Sequence, residues 1–148
     1  MTLTVLLAVL SACSPDDTYL PALLADPMAS YEAEGLVLFD SWEYRQRSSF
    51  LGSGPRQAEV VRRYRVEDQS QAEEILNEAR EVAESEGWQI QQESEFAYSG
   101  VRELDPGMGR LFLMLQAEDI LDDPDGPRVL AIFLEFDPVP SDETTISN

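Results

Sequence analysis

Few residues in this chain have both the type and the spacing to do chemistry. Cys13 is the only thiol, so no internal disulfide can form. It follows Ser11-Ala12 at the end of an apolar run, which makes its sulfur a good acceptor for a diacylglyceryl group. Asp119, Asp122, Asp123 and Asp125 cluster ahead of Gly126, and hard cations such as calcium take several carboxylate oxygens. The spacing departs from an EF-hand loop, because Leu121 stands five residues before Gly126 and no bidentate glutamate follows at the required distance. A solvated hairpin turn is the plainer expectation there. Arg62, Arg63 and Arg65 are the densest part of an arginine-rich stretch. Such a strand could grip a carboxylate or phosphate through forked hydrogen bonds. The plainer expectation is cross-strand pairing with Glu43, Glu59, Glu93 or Glu95.

Other chemistry is missing. The chain holds no histidine, which removes the commonest general base and the commonest metal ligand together. Gly52-Ser53-Gly54 does not match the G-x-S-x-G elbow, and no phosphate-binding glycine loop is present. Carboxylate pairs suited to glycoside hydrolysis can be drawn on almost any chain with 29 acids, so their presence decides nothing. The expectation is a non-enzyme with no catalytic residue, no cofactor and no resident metal.

Leu3 to Leu10 is apolar except for Thr4, and Leu10-Ser11-Ala12-Cys13 closes the run. This pattern resembles the lipobox of small bacterial lipoproteins. The run is too short to span a bilayer, which takes about 20 residues. It fits a cleaved export signal, although only Met1 and Thr2 precede it and neither side chain is positive. The resemblance implies a signal peptide over 1–12, acylation of Cys13 as the first mature residue, and a cell-membrane location on the extracytoplasmic side. Two or three acyl chains hold a protein stably where one does not. The net charge of −19 lies entirely after residue 12, so nucleic acid and anionic headgroups repel the mature chain. No nucleic-acid partner is expected.

The remaining residues predict one α+β domain. Residues 13–34 read as a tether that is partly ordered, with a helical turn around Leu20, Leu23 and Leu24. A single domain follows over 35–138, and 139–148 read as a disordered tail. Gly35 opens a strand running to Arg45, and Ala58 to Glu67 forms a second, joined by a Gly/Pro loop. Ser70-Gln71-Ala72-Glu73 has the form of a capping box. Apolar residues at Ala72, Ile75, Leu76, Ala79, Val82 and Ala83 then mark one helix face. Gly87 suits the left-handed position that ends it. Strands near 89–95, 96–104, 110–118 and 128–137 complete an antiparallel sheet of about five strands in the order β-β-α-β-β-β, the first pair reading as one long strand with a bulge.

The last two strands are apolar on both sides. Leu111, Leu113 and Leu115 oppose Phe112 and Met114, while Leu130, Ile132 and Leu134 oppose Val129, Ala131 and Phe133. Both faces therefore need cover, and one helix covers one. The Leu20–Tyr31 segment, the first hairpin, a second subunit or a ligand would supply the rest. These features point to a lipid-anchored interaction or binding domain with a protein partner or a second copy. The alternative is a carrier of an apolar ligand or lipid. A carboxylate-based hydrolase ranks below both and would need two carboxylates meeting in one cleft.

Overall fold

A computed structural model describes residues 19–45, 57–105, 107–119 and 121–136. Helix α1 covers Tyr19–Leu24, and one turn of 3-10 helix follows at Pro27–Ser30. Strands β1 (Leu36–Tyr44) and β2 (Glu59–Val66) precede the main helix α2 (Ala72–Ser85). Then come β3 (Gln89–Ser94), β4 (Ala97–Leu104), β5 (Gly107–Asp119) and β6 (Asp123–Phe136). All pair antiparallel in one sheet of order β1-β2-β6-β5-β4-β3. The sheet has six strands rather than five. A two-residue turn at Glu95-Phe96 separates β3 from β4, and the Phe96 carbonyl accepts from Leu115 N at 2.8 Å.

Helix α2 ends as its sequence dictates. Gly87 has φ +94°, and the Trp88 and Gly87 amides donate to the carbonyls of Ala83 and Glu84, both at 3.0 Å. These two bonds satisfy carbonyls that a helix end leaves orphaned, and only glycine takes the left-handed position without strain. The start of the helix differs from the capping-box expectation. Asp68 accepts from Ser70 N at 3.0 Å and from the Ser70 hydroxyl at 2.7 Å. The Ser70 oxygen is thus spent as a donor to Asp68, and a short 3-10 turn at Gln69–Gln71 leads into α2 instead.

One contiguous core lies between the sheet and the helices. Val60, Tyr64, Leu111, Leu113, Leu130, Ile132 and Leu134 point into it, as strand period two requires. Helix α2 packs on β5 and β6, and α1 with its 3-10 turn packs on β2 and β6. Leu23 and Met28 have no exposed surface and join the same cluster as Ile75 and Leu76. Residues 19–31 therefore belong to the folded body, which takes in residues ahead of Gly35. The physical reason is length. Fourteen residues of α2 reach about 21 Å, too short to roof the sheet, and the Leu20–Tyr31 strap covers the rest of the same face.

That strap is closed by buried polar contacts. Asp26 is the only buried charged residue in the described core. It accepts from Met28 N at 2.9 Å, from Trp88 Nε1 at 3.3 Å and from Arg102 Nη1 at 2.8 Å. Arg62 Nε donates to the Ala29 carbonyl at 3.0 Å, and the Tyr64 hydroxyl donates to the Tyr31 carbonyl at 2.7 Å. The sheet edges are guarded differently: β1 carries a bulge between Leu38 and Asp40, while β3 is Gln-Ile-Gln-Gln-Glu-Ser and lies mostly exposed.

Two stability predictions follow from the strap. Leu23→Ala should cost about 3 kcal/mol for a cavity that cannot collapse, whereas Leu24→Ala next to it should stay within about 0.5 kcal/mol. Asp26→Ala should cost about 3 kcal/mol, the low end for a broken buried pair because Arg102 keeps solvent contact. Urea unfolding midpoints of the three variants against the parent chain check both.

Candidate functional site

The sequence candidates fall in three places. Cys13 and its lipobox lie outside the described residues. Asp119, Asp122, Asp123 and Asp125 sit at the β5–β6 hairpin, where the register breaks between Ala117↔Arg128 and Asp119↔Asp123. Asp119 Oδ1 accepts from the amides of Leu121 at 3.2 Å and Asp122 at 3.1 Å. Its carboxylate closes the turn, as aspartate does in a local side-chain-to-backbone turn. A Cβ on Gly126 would meet Asp123 Oδ2 at 2.8 Å, so the Asp123 side chain folds over that glycine. Among the described residues no group of three or more acidic or cysteine side chains is placed to hold a metal.

The arginines do not form one anion site. Strand alternation puts Arg62 on the helix-covered face and Arg63 and Arg65 on the other. Each is engaged by the chain itself. Arg62 Nη2 meets Glu43 Oε1 at 2.7 Å. Arg63 donates to Asp40 Oδ2 at 3.4 Å and to the Glu118 carbonyl at 2.7 Å. Arg65 grips both carboxylate oxygens of Glu118, with Nε at 3.0 Å from each. The Phe39 ring lies under both guanidinium groups, 5.1 Å from Arg63 and 4.5 Å from Arg65, which suits a cation over a π face. Glu43 was legible as a partner; Glu118 was not, because β5 is remote in sequence and reaches β2 only through β6.

The feature of most interest is the sheet face opposite the helices. Val61, Val129 and Ala131 have no exposed surface, yet they lie outside the core cluster. Their cross-strand neighbours on this face are Trp42, Phe133, Met114, Gln116, Arg63 and Arg65. Trp42, Phe112, Met114 and Phe133 are only half-buried. No described helix packs here. The Leu20–Tyr31 segment, one of the expected covers, lies on the opposite side. A hollow of about 220 Å³ opens toward the β3 side, lined by Ala97, Ser99, Phe112 and Met114 among others. Charged pairs frame the apolar floor: Arg63 and Arg65 with Asp40 and Glu118 at one side, and Arg110 with Glu135 at 3.8 Å at another.

A second hollow, about 560 Å³, lies by the start of α2 and is lined by Glu34, Glu67, Asp68, Glu74 and Glu78. Sequence reading missed it, since its acids come from three separate segments. It does bring carboxylates to one cleft, the condition a hydrolase reading sets. The Asp68 carboxyl, however, is held below its ordinary range by the Ser70 hydroxyl and then the Ser70 amide. That is the wrong direction for a general acid, which must stay protonated. Burial pushes the phenols of Tyr31 and Tyr64 up, with Glu78 adding to the effect at Tyr31, so neither serves as a base near neutral pH.

On the open face, the hydrogen bond from Arg65 holds the Glu118 carboxyl below the usual glutamate range. A lowered folded-state value contributes stability above the unfolded value, and that contribution disappears as pH falls through the folded one. Carboxyl NMR titration should find Glu118 titrating below the ordinary glutamate range. In Arg65→Ala it should return toward that range, and the acid limb of the stability curve should flatten.

Comparison with family models, with curated proteins and with solved structures finds no match to this chain.

Proposed function

We propose that this chain is an extracytoplasmic lipoprotein, held to the cell membrane by an acyl group on Cys13, whose folded body is a non-catalytic binding domain. The anchor rests on Leu10-Ser11-Ala12-Cys13. The binding role rests on one observation: among the described residues the helices and the strap all pack on one face of the sheet, and the other presents Trp42, Phe112, Met114 and Phe133 half-buried around a floor of fully buried side chains. Apolar centres rimmed by polar and charged groups mark surfaces that meet other proteins. The partner is another protein or a second copy of this chain.

Size argues against the carrier alternative. Ligand pockets occupy about 300–1,000 Å³ and are mostly apolar. The hollow on the open face is smaller, at about 220 Å³, and three larger hollows, of about 560, 360 and 390 Å³, each carry two or more carboxylates in their lining. None of these suits an acyl chain.

Two measurements test the reading. Cys13→Ser should move the protein out of the membrane fraction; retention there would remove the anchor. A photo-crosslinking residue at position 112, on the open face, should give one discrete adduct in native membranes, while the same residue at the exposed position 82 on α2 gives none. Equal labelling from both positions, or none from 112, would remove the binding surface. Native mass spectrometry finding a bound lipid would favour the carrier.

A further inference from the structure

The polarity of the sheet determines which end of the domain meets a lipid surface. Tyr19 opens the described body, and its ring packs edge-on against Phe136 with centroids 4.9 Å apart. Phe136 ends β6 and pairs with Gly109 near the start of β5. A Cβ on Gly107 would stand 3.7 Å from the Phe136 ring. Tyr19, Phe136 and the β4–β5 connection thus share one end of the sheet. From there β5 runs 13 residues to Asp119, about 40 Å at the rise of an extended strand.

Three of the other turns gather at the opposite end, while the Glu86–Trp88 turn stands at the near end, with the Trp88 ring 3.1 Å from where a Cβ on Gly109 would lie. Gln69 Nε2 donates to the Arg128 carbonyl at 3.1 Å, and Arg128 lies over the Phe96 ring at 5.7 Å. The Glu67–Asp68 turn, the Glu95–Phe96 turn and the Asp119–Asp125 hairpin therefore stand together. Glu34, Glu67, Asp68, Asp119, Asp122, Asp123 and Asp125 make this end strongly acidic, and Leu121 is 93% exposed at its tip.

Six residue steps separate Cys13 from Tyr19, a reach of about 20 Å when fully extended. That is half the length of β5. On the reading that Cys13 is acylated, on which this inference rests, the leash is shorter than the body it holds. We infer that the end carrying Tyr19, Phe136 and Met108 faces the bilayer and that the acidic end points away from it. Electrostatics favours the same pose. An anionic bilayer surface acts over about 8 Å at physiological salt, so acids some 40 Å away escape its repulsion. The near end carries acids too, since Glu103 and Asp105 flank Met108 and Glu59 pairs with Glu135 one residue from Phe136, so there the anchor holds the domain close against a residual repulsion.

The test uses the full lipidated protein, purified from a bacterial host that processes it and reconstituted in phosphatidylcholine–phosphatidylglycerol vesicles. A donor dye is placed on Met108→Cys or on Leu121→Cys, both exposed positions, with acceptor dye on trace lipid. The acylated Cys13 sulfur does not react with the dye reagent. Energy transfer should be several-fold greater from position 108 than from position 121, and iodide should quench the dye at 121 more strongly. Equal transfer from both positions, or the reverse order, overturns the orientation while leaving the anchor intact. Intact mass is read first: a chain with unmodified Cys13 that fails to bind vesicles overturns the anchor and the orientation together.

Discussion

A carboxylate without exposed surface must be surrounded by donors, and Asp26 has three of different origin. The Met28 amide comes from its own turn, the Trp88 indole from the end of α2, and the Arg102 guanidinium from β4. An ionised carboxylate buried without such partners costs several kcal/mol. The strap can therefore dock only where all three donors converge, which sets its register against both the helix and the sheet. Leu20, Leu23 and Met28 supply the apolar area, but area alone is non-directional. Asp26 gives the contact its single geometry. Pro27 cooperates, since its ring presets the first position of the turn and its missing N–H asks for no partner.

The strap and α2 together roof one face, and among the described residues the other is covered only by the sheet's own side chains. Its small residues Val61, Val129 and Ala131 lie below larger cross-strand neighbours. Covering a sheet with its own side chains removes the floor from water but leaves the tops of Phe112, Met114 and Phe133 partly wet. This half-covered condition is the observation on which the proposed binding role rests. The paired charges around it add direction without adding much stability, since exposed ion pairs are worth little.

The local features were legible in the sequence and the long-range ones were not. Gly87 announced the helix end because only one backbone conformation suits it, and the alternating residues of β5 and β6 announced strands buried on two sides. Ser70 misled, because the capping pattern does not reveal that Asp68, two residues earlier, takes the serine hydroxyl for itself. Glu95-Phe96 looked like a bulge, since two residues are enough for a hairpin turn yet carry no glycine or asparagine to mark it. The strap read as tether because six helical residues give no periodicity to detect, and its place in the core depends on Asp26 finding Arg102 some 76 residues away. The arginines were visible as a group, but the alternation of β2 splits Arg62 from Arg63 and Arg65. The acidic hollow at the start of α2 is a product of folding, with acids drawn from three segments.

The bulge between Leu38 and Asp40 in β1 has a consequence for crowding. An open sheet offers two edges, and copies held to a surface, as the proposed anchor would hold them, collide far more often than copies in solution. A flat apolar edge would then recruit its neighbour strand by strand into a growing ribbon. Here one margin is kinked out of line by the bulge, and the other displays glutamine and glutamate. With a large like charge on every copy, strand-by-strand growth along either of these edges is opposed.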